Sequence, residues 1–278
     1  MKVAAIQMVS AATLAPNLAS ARALLEQAAD KGAEFAVLPE YFCIMGRRDT
    51  DKLAIQERFG SGPIQDFLAA TAQRFNIWIA GGTLPLAIDA AQAEPGQPAK
   101  VTNTSLVFTP NGRCAARYDK IHLFRFDNGV ERFDESRVLA PGTKPAVFEL
   151  PSRDGRTWRV GMSVCYDLRF PELYRAYARE QADLLLVPSA FTQVTGQAHW
   201  EILLRARAIE NQAFVAAAAQ GGLHENGRTT WGHSLLVDPW GRVLAQQAQQ
   251  PGVVCSELVI GERQAVHARL PALDHRVL

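Results

Sequence analysis

Short apolar runs alternate with amphipathic stretches along most of this chain, and no other feature limits the fold as strongly. Val3-Ala-Ala-Ile6-Gln-Met8-Val9, Phe35-Ala-Val-Leu38 and Ile77-Trp-Ile-Ala80 read as buried strands. Between the first two, Asn17 to Lys31 sets Leu18, Ala21, Leu25 and Ala28 on one helical face and stops at Gly32. Pro63 then opens a helix whose Ile64, Phe67, Leu68 and Phe75 face inward. Strands separated by helices of this length predict an α/β domain whose sheets are covered by helices.

The rhythm changes once and then repeats. The polar stretch Asp89 to Lys100, with two prolines and a glycine, is expected to be a surface loop. After it, Thr109-Pro-Asn-Gly112 joins Asn103–Phe108 to Arg113–Tyr118, and the Asn-Gly pair marks an antiparallel hairpin. Strands at Val160 to Val164 and Leu184 to Val187 follow, then a helix from about Gln197 to Asn211 and a strand at Phe214 to Ala219. A second hairpin runs from Gly232–Val237 through Asp238-Pro-Trp-Gly241 to Val243-Leu244. The two halves share one pattern, and no composition break marks a linker. We therefore expect two packed sheets in a single domain over residues 1–278.

Composition narrows the function classes. With 48% hydrophobic and 21% charged residues, the chain can bury a substantial core. Its formal net charge of +1 gives no electrostatic case for nucleic acid or an anionic membrane. No apolar run has the length of a membrane span, and the first strand begins without a signal-like segment, so a cytoplasmic location is expected. The cysteines Cys43, Cys114, Cys165 and Cys255 are scattered, without C-x-x-C, and the histidines form no H-E-x-x-H. Neither disulfides nor a metal or other cofactor are expected.

Three polar residues stand where a strand has just ended: Glu40, Lys120 and Cys165. In a layered α/β fold, strand C-terminal ends gather on one rim, where sites form. Cys165 also precedes a helix opened by Pro171, whose N-terminal N–H groups favour a thiolate and an oxyanion. A carboxylate can take a thiol proton, return it to a leaving amine and then activate water. An ammonium beside the thiol can lower its pKa and stabilise an oxyanion. Singly, each residue also reads as a surface charge or a buried structural cysteine.

Longer blocks surround these residues. Pro39-Glu40-Tyr-Phe, Tyr118-Asp-Lys120-Ile-His-Leu-Phe and Val164-Cys165-Tyr-Asp-Leu-Arg-Phe-Pro-Glu-Leu-Tyr resemble the three signature blocks of the nitrilase superfamily of carbon–nitrogen hydrolases, in that order. The resemblance implies a four-layer α-β-β-α sandwich and a homodimer formed through helices near the nucleophile. It implies Glu40 as base, Lys120 as oxyanion-stabilising cation, Cys165 as nucleophile and the backbone N–H of Tyr166 as second oxyanion donor. A further glutamate of that family matches Glu135 best, with Glu131 nearby.

The segments Ala190-Phe191-Thr-Gln-Val-Thr195-Gly-Gln-Ala-His199-Trp-Glu201, Ala206 to Gln212 and Ala217 to His224 are similar to the branch of omega-amidases and deaminated-glutathione amidases. That similarity implies an amidase releasing ammonia and a carboxylate, with deaminated glutathione as first substrate and α-ketoglutaramate or α-ketosuccinamate as the alternative. Nitrilase and carbamoylase activities stay open. Such substrates carry a carboxylate, and a guanidinium pairs carboxylates bidentately. Arg169 is either that partner or the partner of Glu172 or Asp167. Phe191 and Thr195 match pocket positions, though Phe191 also fits plain core packing. Arg205, Arg207 and Arg228 are further candidates that the sequence does not separate. His199 and Glu201 are expected to head a helix as caps or supporting hydrogen bonders, with Ile202, Leu203, Ala206 and Ile209 inward, and His122 to support the lysine loop. A Cys–His hydrolase using His199 or His233, and a non-enzymatic scaffold, are the competing classes. The tail Leu270-Pro-Ala-Leu273 packs either across a dimer or onto its own subunit.

Overall fold

A computed structural model describes residues 1–88, 99–130 and 132–277. Most of the expected surface loop Asp89 to Lys100, and Glu131, lie outside the described residues.

Two main sheets carry the fold. The first runs Gly252–Glu257, Lys2–Gln7, Phe35–Val37, Trp78–Ala80, Val101–Phe108, Leu84–Ala87, with Cys114–Asp119 and Leu139–Ala140 also paired to Val101–Phe108. The second runs Ala146–Pro151, Thr157–Met162, Leu184–Leu186, Phe214–Ala217, Leu235–Val237, Val243–Gln246. Each has three parallel strands at its centre and antiparallel strands flanking them.

Side chains alternate across each strand, and that alternation builds the layers. Val3, Ala5, Phe35 and Val37 join the core shared with the second sheet, against Val160, Met162 and Phe214. Ala4, Ile6, Ala36 and Leu38 face the other way, onto Ala21 and Leu25 of the helix Leu14–Asp30 and Ile64 and Leu68 of the helix Pro63–Phe75. Both faces are buried, which is why these strands read as unbroken apolar runs. Helices Pro171–Arg179 and Gln193–Asn211 cover the second sheet, completing the expected four-layer α-β-β-α sandwich.

Two helix expectations need correction. The first helix starts at Leu14, with Pro16 in its first turn. Asn17 therefore lies inside it, where its amide bonds Ala11 and the Cys43 carbonyl at 2.9 Å. The later helix starts at Gln193 rather than near Gln197, because Thr192 caps it by accepting the Thr195 N–H at 3.3 Å. His199 and Glu201 accordingly do not head it. Its buried stripe is Trp200, Leu204, Arg207, Ala208 and Asn211, while Ile202 (70% exposed) and Ile209 (49%) face outward. The inner face accepts polar residues since Arg207 donates to the Leu168 carbonyl at 3.1 and 2.8 Å and Asn211 to the Arg207 carbonyl at 2.9 Å. Within this chain, Gln212 donates to the Leu270 carbonyl, and Arg263 to the Gln212 carbonyl at 3.0 Å, while the Leu270 side chain stays half exposed.

Candidate active site

Strand ends from both sheets meet in one pocket, and close backbone approaches hold them there. Glu40 follows Phe35–Val37 on a turn where the Tyr41 N–H donates to the Thr83 hydroxyl at 2.9 Å. Gly82 (φ +51°) lies under that turn, and a Cβ there would stand 2.0 Å from the Pro39 carbonyl oxygen. Lys120 follows Cys114–Asp119, and the Gly142 N–H donates to its carbonyl at 2.8 Å. A Cβ on Gly142 would lie 2.1 Å from the Asp119 oxygen, so the Pro141-Gly142 turn can close on the lysine loop only without a side chain.

Cys165 follows Thr157–Met162 with φ +49°, a left-handed conformation uncommon for a non-glycine residue. Asp167 fixes this bend. Its buried carboxylate accepts from the Val164 N–H at 2.9 Å, the Tyr118 hydroxyl at 2.7 Å and the His122 N–H at 3.0 Å, and it meets His122 Nδ1 at 2.7 Å. His122 also stacks on Phe170, 3.7 Å between centroids. Asp167 thus ties the lysine loop to the cysteine bend, and His122 supports the lysine loop as expected.

The charges form one connected cluster. Lys120 Nζ donates to Glu40 Oε1 at 2.9 Å and to the Glu135 oxygens at 3.0 and 2.8 Å. Asn103 Nδ2 donates to Glu40 Oε1 at 2.9 Å, and Gln220 Nε2 to the Glu40 carbonyl at 3.0 Å. Glu135 also accepts from the Tyr41 hydroxyl at 2.6 Å and the Phe124 N–H at 2.7 Å. Burial disfavours charge on Lys120, but Glu135 and Glu40 more than offset it and hold its pKa above the ordinary lysine value. Burial likewise opposes the Glu135 charge, and Lys120 with the Phe124 and Tyr41 donors outweighs it, so that carboxyl sits below its usual range. Burial and then Glu135 push the Tyr41 hydroxyl well up.

The surroundings of Cys165 act on its thiol in opposite directions. Burial and the Glu40 carboxylate raise its thiol well above the ordinary cysteine value, although Lys120 and the Ala190 N–H pull the other way. The direction of that shift favours the thiol over the thiolate, which gives a carboxylate of the pocket a role as its base. Glu40 is a carboxylate of the same pocket.

Glu40, Glu135, Cys165, Tyr166, Arg169, Phe191 and Thr195 all line this pocket. Lys120, 1% exposed, is not among its walls, and its ammonium donates to the two carboxylates of the pocket. Tyr166 is the second residue of the helical turn Cys165–Arg169, a position whose N–H has no partner within the turn itself. Phe191 packs on Trp200, 4.9 Å between ring centroids, and also lines the pocket. Thr195 lies in the first turn of its helix with its hydroxyl 2.9 Å from that of Thr192. Arg169 pairs with neither Asp167 nor Glu172. Its NH1 lies 3.2 Å from His199 Nδ1 and its guanidinium 5.3 Å from the Phe191 ring.

The remaining candidates separate. Arg205 pairs with Glu201 and Arg207 with Glu210, while Arg228 reaches the pocket wall. Neither His199 nor His233 lines the pocket; His233 stacks on Trp231 at 4.3 Å, beside a different surface hollow. Sequence reading missed Tyr41, Asn103, Asp167 and Gln220. Tyr41 and Asp167 are adjacent in sequence to quoted site residues and could have been raised from their polar groups. Asn103 and Gln220 reach Glu40 only through long-range pairing, which leaves no local signal.

Known proteins resemble this chain over nearly its whole length. The carbon–nitrogen hydrolase family model matches residues 2–268. The chain is 40% identical to the deaminated glutathione amidase of Synechocystis sp. over 99% of this chain and 97% of that protein. It is 34% identical to the omega-amidase NIT2 of Danio rerio, covering 99% and 94% of the two chains. The crystal structure of Saccharomyces cerevisiae Nit3, described as a member of branch 10 of the nitrilase superfamily, superposes with a TM-score of 0.86 at 28% identity, covering 100% of this chain and 97% of that one. A chain matched over nearly its whole length by family, sequence and architecture belongs to the carbon–nitrogen hydrolase family, within the nitrilase superfamily.

Proposed function

We propose that this amidase hydrolyses a linear amide through a thioester on Cys165, and that deaminated glutathione is its substrate. The observation that carries the reading is the convergence of Glu40, Glu135 and Cys165 on one pocket, with Lys120 bonded to both carboxylates. The 40% identity to a deaminated glutathione amidase supports the substrate. The omega-amidase relative, at 34%, makes α-ketoglutaramate the second reading.

In the mechanism we infer, Glu40 takes the thiol proton as Cys165 Sγ bonds the amide carbon. The carbonyl π electrons move to oxygen, and the Tyr166 N–H and the positive charge of Lys120 stabilise that oxyanion. As the carbon–nitrogen bond breaks, Glu40 returns the proton to the departing amine. Deaminated glutathione has a secondary amide, so its departing amine is a dipeptide, and the expected release of ammonia applies only to a primary amide such as α-ketoglutaramate. Glu40 next deprotonates a water that attacks the thioester, and sulfur leaves and recovers its proton. Glu135 holds Lys120 in place, and Tyr41 holds Glu135. Arg169 takes the α-keto carboxylate, a role favoured by its lack of a carboxylate partner among the described residues. Phe191 and Thr195 shape the wall beside it.

The same reading includes one domain over residues 1–278, a homodimer and a cytoplasmic enzyme. No helix among the described residues is long and apolar enough to cross a membrane. The outward Ile202 and Ile209, seven residues apart on one helix, give a dimer an apolar face to cover. Assaying deaminated glutathione and α-ketoglutaramate side by side, by dipeptide and ammonia release, tests the substrate. A larger kcat/KM for α-ketoglutaramate would reverse their order.

A further inference from the structure

Two guanidiniums, Arg169 and Arg228, reach the wall of the Cys165 pocket, and neither forms an ion pair among the described residues. Their neighbours contrast with them: Arg175 and Arg207 bind Glu210, and Arg205 binds Glu201. Arg228 donates from NH2 to the Ala190 carbonyl at 3.0 Å, and its guanidinium lies 4.9 Å from the Phe133 ring centroid. Its Nε is buried and has no hydrogen-bond partner among the described residues. A guanidinium carries five N–H donors, and an aromatic face steadies its charge without using any of them. Most donors of both arginines are thus left for a ligand.

The two cations are also placed around the reacting atom. Arg169 stands over the Phe191 ring, Arg228 on the carbonyl of Ala190, and the Ala190 N–H faces the Cys165 sulfur. A ligand with one carboxylate leaves one guanidinium partly desolvated and unpaired; a ligand with two satisfies both.

We propose that Arg228 is a specificity-determining residue and that the pocket takes amides bearing two carboxylates, one paired by Arg169 and the other by Arg228. The inference rests on the amidase reading above and deepens it to a substrate class. Deaminated glutathione fits that class, since it has an α-keto carboxylate on one side of the amide and a glycine carboxylate on the other. An omega-amidase substrate such as α-ketoglutaramate has one carboxylate only.

The test compares deaminated glutathione with its glycine methyl ester, which keeps the shape and removes one charge. Wild-type kcat/KM should favour the diacid by about 10- to 100-fold, the range of a lost charge-assisted pair. Arg228→Gln should raise KM for the diacid and bring the two compounds within about threefold, leaving the ester little changed. Arg228→Lys, which keeps the charge but not the fork, should retain part of the preference and serves as the comparison if the Gln variant does not fold. Equal wild-type rates on acid and ester, or an equal loss on both in Arg228→Gln, would overturn the proposal. Calorimetric binding of both compounds to Cys165→Ala, with and without Arg228→Gln, reads the pocket without turnover. Arg228-dependent binding with no wild-type hydrolysis sinks the substrate reading alone, and hydrolysis without Arg228 dependence sinks this inference alone.

Discussion

Lys120 and Arg169 are cations of one site in opposite surroundings. Lys120 is 1% exposed and bonded to Glu40 and Glu135; Arg169 stands at the pocket wall beside His199 and two aromatic rings, without a carboxylate partner among the described residues. A buried ammonium is tolerable only with its charge compensated, so the inner cluster has no vacancy for substrate charge. The outer wall, nearer water, can leave guanidiniums open until a ligand supplies the anion. The inner set is therefore arranged to move protons and the outer set to recognise. The two differ in what a substitution should do: inner changes strike kcat and the fold together, outer changes strike substrate choice.

The largest effect expected inside the cluster is the loss of the nucleophile. Cys165→Ala should lower amide hydrolysis by at least about 10^4-fold in a folded protein, as nucleophile removals do. Turnover surviving in that variant would place the chemistry elsewhere and erase the contrast between the two sets.

Lys120→Met comes next. It leaves Glu40 and Glu135 buried without their shared cation, and breaking such a pair costs roughly 3–5 kcal/mol. Denaturant unfolding should show that loss, whereas Arg169→Met should stay within about 1 kcal/mol of wild type. Equal destabilisation by the two substitutions would break the comparison outright.

Glu40→Gln separates proton transfer from thiol acidity. Acylation should fall by about 10²- to 10⁴-fold, the usual worth of a positioned acid–base group. Burial and the Glu40 charge both hold the thiol up, so removing that charge should lower the Cys165 pKa. Labelling by neutral iodoacetamide, followed across pH, should then reach half its plateau at lower pH in the variant than in the wild type. An unchanged labelling profile would show that Glu40 does not sense the thiol. Cys43, pushed up to about 12 by burial, is the internal slow control.

The smallest effect sharpens the picture. Tyr41→Phe removes one donor to Glu135, which keeps Lys120 and the Phe124 N–H. Activity should fall by no more than about tenfold, within the value of one hydrogen bond to a charged group. Glu135 sits below its ordinary pKa, so its stabilisation is complete above the unfolded carboxylate pKa and is lost as pH falls through the folded value. The Tyr41→Phe variant, having lost one lowering contact, should lose acid stability at a slightly higher pH in a pH series of unfolding midpoints.

The sequence by itself determined the alternation of strand and helix, the two-sheet sandwich and the strand ends that bear Glu40, Lys120 and Cys165. These follow from local patterns: apolar runs, proline and glycine stops, an Asn-Gly turn and compact blocks of neighbouring residues. Local pattern misled where a polar inner face was satisfied from afar. Ile202 and Ile209 read as core because they are apolar, yet the carbonyl partners of Arg207 and Asn211 rotate those residues inward instead. Only the tertiary structure decided how the charges divide. It gave Lys120 two carboxylates, brought Asn103 and Gln220 to Glu40 from distant segments, and chose Arg228 over Arg205 and Arg207 for the pocket. The physical reason is that a residue type fixes which interactions are available, whereas burial and long-range proximity fix which are made. The thiol of Cys165 is the clearest case, because its position before a helix favours a thiolate while its burial beside Glu40 pushes its pKa up.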